Sequence, residues 1–105
     1  MVQMSDIQEV ANRIAREFEP DRIILFGSYA RGMPGADSDI DLLVVLPFEG
    51  KGFWKSLEII NSVNVPYPLD LLAYRPDAVE WRYAQGDPLI REAIDHGKVL
   101  YERSN

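Results

Sequence analysis

Apolar residues recur at helical spacing near the start of the chain. Ile7, Val10, Ala11, Ile14, Ala15 and Phe18 share one face of a 3.6-residue period, which predicts a first helix. Ser5 with Gln8 three residues later has the form of a capping box, and Glu19-Pro20-Asp21 stops the helix. The pattern then shifts. Arg22 to Phe26 is too short and too β-branched for another helix and reads as a buried strand. Ile40 to Leu46 is apolar without a break, which predicts a strand covered on both faces of its sheet. A second helix runs from about Phe53 to Val63, with Trp54, Leu57 and Ile60 or Asn61 at helical spacing, and Pro66-Tyr67-Pro68 closes the connection. Leu69 to Tyr74 is a third apolar strand, interrupted by one charge at Asp70. Pro76 to Ala84 is helical. Asp87-Pro88 opens a further helix with Leu89, Ile90, Ala93 and Ile94 on its apolar face, and Gly97 ends it. Lys98 to Glu102 is a short last strand or an extended tail. This order predicts an α/β (α+β) structure in which helices flank a small mixed sheet.

Composition narrows the classes of function. With 105 residues, 47% of them apolar, the chain fits one domain and can bury roughly two-thirds of its unfolded surface. The Pro47 to Gly52 segment is too short to divide it, so residues 1–105 read as a single unit. The sequence has no cysteine, which excludes disulfides, thiolate metal sites and cysteine nucleophiles. No apolar run approaches the roughly 18 residues of a membrane span, and the first residues lack the pattern of a signal peptide, so a cytoplasmic location is expected. A net charge of −6 argues against direct nucleic-acid binding, which needs clustered Lys and Arg. A nucleotide or protein partner fits better.

The chemistry concentrates between the first two strands, in Gly27 to Asp41, GSYARGMPGADSDID. Aspartates two residues apart on a strand project from one face, so Asp39 and Asp41 would hold their carboxylates side by side. Such a pair repels itself unless a cation lies between, and a hard divalent ion such as Mg²⁺ is the natural candidate. Asp70 is costly to bury alone, and no Lys or Arg lies within four residues of it. If its strand neighbours that of Asp39 and Asp41, three carboxylates converge and a two-metal site becomes feasible. Gly27 lets the backbone approach a phosphate, Ser28 can donate to phosphoryl oxygens, and Arg31 can add a charge-assisted contact. The loop between is expected to hold one helical turn at Tyr29-Ala30-Arg31.

Gly27-Ser28, ten intervening residues, Asp39-Ile40-Asp41 and a later-strand Asp70 resemble the signature of the nucleotidyltransferase superfamily that includes DNA polymerase β and kanamycin nucleotidyltransferase. GSYARG followed by SDIDLLV in a chain of this length is similar to the minimal nucleotidyltransferase (MNT) domain, and the resemblance spans essentially the whole chain. It implies a nucleotidyltransferase fold, Mg²⁺ and ATP, and nucleotidyl transfer with release of pyrophosphate. It implies Gly27 and Ser28 as triphosphate-binding positions, Asp39 and Asp41 as metal ligands, and Asp70 as the third carboxylate, which helps activate the attacking hydroxyl. Minimal domains of this type are often antitoxins paired with a HEPN-domain toxin, and some move AMP to a tyrosine of that toxin. Larger relatives carry an acceptor-binding domain that this chain lacks, so a partner or a second subunit would have to supply the acceptor. Two alternatives stay open: a small-molecule, aminoglycoside-type acceptor, and a non-catalytic antitoxin that neutralises by covering its toxin.

Each residue has an ordinary explanation when taken singly. Gly27-Ser28 makes a turn, Asp39 an Asx-type turn residue, Asp41 a solvated strand-edge residue, Asp70 an edge-strand charge that guards against aggregation, and Ser38 a turn residue. Only the joint spacing argues for a site. His96, at a helix C-terminus, reads as a dipole partner, and Trp54, Trp81 and Tyr83 read as core or helix cover.

Overall fold

A computed structural model describes residues 2–35 and 38–104 and orders the elements as α1 (Met4–Phe18), β1 (Arg22–Phe26), β2 (Ile40–Val45), α2 (Gly52–Val63), β3 (Leu69–Tyr74), α3 (Pro76–Ala84), α4 (Pro88–His96) and β4 (Lys98–Glu102). The four strands form one sheet in the order β3-β2-β1-β4. β1 pairs antiparallel with β2 and with β4, whereas β2 and β3 run parallel and are joined through α2. Parallel neighbours need such a crossover, because a tight turn cannot reverse the chain twice. The last segment is therefore a strand, on the sheet edge opposite β3.

Strand alternation divides the core into two layers. Ile23 and Leu25 of β1, with Ile40, Leu42 and Val44 of β2, pack with Ile7, Val10, Ala11 and Ile14 of α1 and with Ile59 and Val63 of α2. The intervening residues Ile24, Phe26, Leu43 and Val45 pack on the other face with Val79 of α3 and with Ile90 and Ala93 of α4. β2 is covered on both sides, as its unbroken apolar run predicts. Full burial of each large aliphatic here contributes about 1.5–3 kcal/mol relative to exposure, so this two-sided strand anchors the fold.

The helices follow local chemistry, with departures from the sequence reading at the start of α1 and at Trp54 and Trp81. α1 begins before Ser5, because Asp6 accepts a hydrogen bond from the Gln3 backbone N–H at 3.0 Å and closes the first turn itself. Gln8 is engaged elsewhere, donating to Asn12 Oδ1 and to the Leu100 carbonyl. In α2 the buried face is Ile59 and Val63, while Phe53 and Trp54 each stand 63% exposed. The core role read for Trp54 is therefore wrong. Ser56 occupies the inner turn instead, donating to the Gly52 carbonyl at 2.8 Å and accepting from Ala73 N–H of β3 at 2.9 Å. Trp81 is also exposed, so it too is not core. Tyr83 packs against the α3/α4 layer as helix cover. α4 starts as expected: the Asp87 carboxylate accepts from Leu89 and Ile90 N–H at 3.0 and 3.2 Å, ahead of Pro88 at the first turn. His96 ends α4, exposed.

Among the described residues no helix is long and apolar enough to cross a membrane.

Candidate active site

β1 ends at Phe26, whose register partner is Asp41, so the chain leaves the sheet directly beside that carboxylate. Gly27 then takes a left-handed conformation, φ +76°. A Cβ at this position would lie 2.2 Å from Asp41 Oδ2, so both the torsion and the close approach require glycine. The Gly27 carbonyl accepts from Arg31 N–H at 3.2 Å and the Ser28 carbonyl from Met33 N–H at 3.0 Å, which makes one hydrogen-bonded turn rather than a full helical segment. Tyr29 and Ala30 pin that turn to the α1/α2 layer. Gly32, φ +73°, ends it. Ser38 closes the far side as a turn residue, its hydroxyl accepting from Gly35 N–H at 2.8 Å. Ala36 and Asp37 of the predicted loop lie outside the described residues.

The acidic residues gather by strand geometry. Asp41 is partnered with Asp70 in the parallel β2/β3 register, and both share the alternation of Leu43 and Leu72, which face α3 and α4. Neighbouring strands lie about 4.8 Å apart, so the two carboxylates are held on adjacent rails. Asp39 precedes β2 by one residue and follows the same alternation as Asp41. Burial differs among them. Asp41 is half-buried, while Asp39 and Asp70 are exposed. The expected cost of burying Asp70 does not arise, because β3 is an edge strand and leaves this carboxylate in solvent.

A further carboxylate, Glu92 of α4, completes the cluster. Its Oε2 accepts from the Gly27 backbone N–H at 3.1 Å and from Arg31 Nη1 at 3.0 Å. Position 92 gives no such signal in the sequence, where it reads as one polar residue on an amphipathic helix. Gly97 determines its placement: a Cβ there would lie 2.3 Å from the Ala93 carbonyl, 2.6 Å from Ile24 Cγ2 and 2.8 Å from the Leu25 carbonyl. Only a glycine lets α4 settle this closely on β1 and bring Glu92 over the loop.

The electrostatics follow from the packing. The Asp41 carboxyl is pushed up to about 6, first by burial and then by the negative charges of Asp70, Asp39 and Glu92, with Arg31 opposing weakly. Burial and like charges outweigh Arg31, whose guanidinium is paired with Glu92 instead. Among the described residues no three His, Cys, Asp or Glu side chains are drawn together closely enough to cage a metal ion as they stand. The expected two-metal cage is thus not preformed. The donor set still suits a hard divalent cation, being all oxygen with negative charge in excess. Beside Asp70, a groove of about 450 Å³ opens between the β3 edge and α2, with Phe53, Leu57 and Ile60 along it.

The sequence matches the family model of the nucleotidyltransferase domain over residues 7–100. The chain belongs to the nucleotidyltransferase domain family. The match runs from α1 into β4, and so takes in every residue of the site. A search of curated proteins finds no match to this nucleotidyltransferase domain. Solved structures share its fold. A nucleotidyltransferase structure from Sulfolobus solfataricus superposes with TM-score 0.63 at 17% identity, over 92% of this chain and 78% of that one. A toxin–antitoxin structure with AMP-PNP gives TM-score 0.61 at 20% identity, over 92% and 74%. A complex of tri-AMPylated Shewanella oneidensis HEPN toxin with MNT antitoxin gives TM-score 0.55 at 16% identity, over 96% and 74%. At these identities the likeness is one of fold.

Proposed function

We propose that this nucleotidyltransferase domain is a protein adenylyltransferase: it transfers AMP from ATP to a hydroxyl, a tyrosine foremost, of a HEPN-type toxin, and so acts as the antitoxin of a pair. One observation carries the transferase reading. Asp41 lies in register with Asp70, follows Asp39 by two residues and packs against Gly27, so the carboxylates and the Gly27 turn share one end of the sheet. The toxin partner is supported by the fold shared with MNT antitoxin complexes.

Each residue then has a task. Gly27 brings its amide close to the triphosphate, and Ser28 and Arg31 donate to phosphoryl oxygens. Asp39, Asp41 and Asp70 would hold Mg²⁺, with two ions accommodated by the three carboxylates. When bound, Mg²⁺ neutralises the charge that triphosphate and carboxylates would otherwise set against each other. Asp70, exposed on the β3 edge and in register with Asp41, would accept the proton of the incoming hydroxyl. The acceptor oxygen bonds to the α-phosphorus, the bond to the bridging oxygen breaks, and pyrophosphate leaves. An ATP donor fits a cytoplasmic setting.

Intact-mass spectrometry of the co-expressed toxin tests this reading. With ATP and Mg²⁺ the toxin should gain one or more AMP units, and the gain should vanish in Asp39→Asn. An unmodified toxin that this chain nonetheless neutralises would replace the transferase with an antitoxin acting by binding alone.

A further inference from the structure

Glu92 holds donors that the proposed function assigns to triphosphate. Its Oε2 accepts hydrogen bonds from two donors at once, the Gly27 amide at 3.1 Å and Arg31 Nη1 at 3.0 Å, and these are two of the groups read above as the grip on triphosphate. A carboxylate and a phosphoryl group present similar anionic oxygens to such donors. The contact is not an incidental surface pair. The amide belongs to Gly27, whose conformation and contact with Asp41 are fixed sterically, and the Glu92 side chain is delivered by a helix seated on β1 through Gly97. The same carboxylate adds to the negative charge around Asp41, so in this arrangement it repels the Asp41 carboxylate while it occupies the Gly27 and Arg31 donors.

We infer that Glu92 is a built-in stand-in for phosphate: it fills the Gly27–Arg31 cradle until a nucleoside triphosphate displaces it, and it therefore sets the threshold for nucleotide binding. This rests on the proposed nucleotide-binding role of the site. Arg31 Nη1 and the Gly27 amide cannot fully serve Glu92 and a phosphoryl oxygen together, so binding of ATP costs the Glu92 contacts. The side chain is 40% exposed, so it can swing into solvent without moving the helix. Glu92 thus favours the nucleotide-free form and is released as Arg31 turns to the phosphate.

Calorimetric titration of the full chain with ATP, with and without Mg²⁺, tests the inference. Glu92→Gln should bind ATP roughly tenfold tighter than wild type, the size of one charge-assisted contact that no longer competes. In an Arg31→Ala background the same substitution should gain less than about half as much, since the competition runs partly through Arg31. That coupling separates competition from mere removal of a negative charge, which would act equally in both backgrounds. Unchanged or weaker ATP binding by Glu92→Gln, with wild type binding normally, overturns the inference and leaves the proposed function standing. Equal gains with and without Arg31 overturn it as well. If neither wild type nor Glu92→Gln binds ATP, both readings fall.

Discussion

The Asp41 carboxylate fills the space that a side chain at position 27 would need: a Gly27 Cβ would sit 2.2 Å from Asp41 Oδ2. The Gly27 turn and the acidic strand are thus one unit. Gly27→Ala must strain a φ of +76° and displace the Asp41 carboxylate. We expect it to cost about 2 kcal/mol in denaturant unfolding and to abolish transferase activity, because the displaced group is a proposed metal ligand.

Asp41 makes stability depend on pH in an unusual direction. Its ordinary value is 3.8 and the folded protein raises it to about 6. The native state therefore binds a proton that the unfolded chain has released in that window, and stability falls as pH rises through it. The penalty is absent below about pH 4 and complete above about pH 6. In chelator, Asp41→Asn should melt higher than wild type at neutral pH, and the gap should close on acidification to about pH 4. Added Mg²⁺ should raise the melting temperature of wild type only. A wild type that outlasts Asp41→Asn at neutral pH in chelator would contradict this.

Asp70 offers the cleanest separation of function from stability. It is exposed on an edge strand, so Asp70→Asn should shift unfolding free energy by less than about 0.5 kcal/mol. Its turnover should fall by about 10²–10⁴-fold if it takes the acceptor's proton, with ATP affinity reduced much less. Turnover close to wild type would remove Asp70 from the chemistry.

Gly97 supports the site at a distance. Its φ of −79° is open to any residue, so the effect of Gly97→Ala is purely steric, against the Ala93 and Leu25 carbonyls and Ile24. About 1–3 kcal/mol of stability should be lost. The lifted helix should also weaken the Glu92 contact with Gly27, visible as a shift of the Gly27 amide resonance.

Much of this was legible in the residue pattern, for identifiable reasons. Strand periodicity puts Asp39 and Asp41 on one face, and the unbroken run in β2 predicts its two-sided cover. Gly27 and the aspartate spacing mark the loop between β1 and β2. Strand order was not legible, and it decides that β3 is an edge and Asp70 exposed. The inner face of α2 was misread because helical spacing admits Trp54 as readily as Ser56. The choice goes to Ser56 through its contact with Ala73 of β3. Glu92 escaped because it is 51 positions beyond Asp41 (92 − 41) on a helix whose docking depends on a glycine after it. The α1 start moved because Asp6 caps Gln3, a short-range alternative equal to the one read at Ser5.

In the proposed function these carboxylates and the Gly27 turn serve attack at the α-phosphorus of a nucleotide. The most direct measurement is label transfer to the toxin partner from ATP labelled at either the α- or the γ-phosphate, with Mg²⁺ present. Label retained from the α-position alone, and lost in Asp41→Asn, is the predicted result. Label retained from the γ-position, or none from either on a toxin that this chain binds, would contradict it.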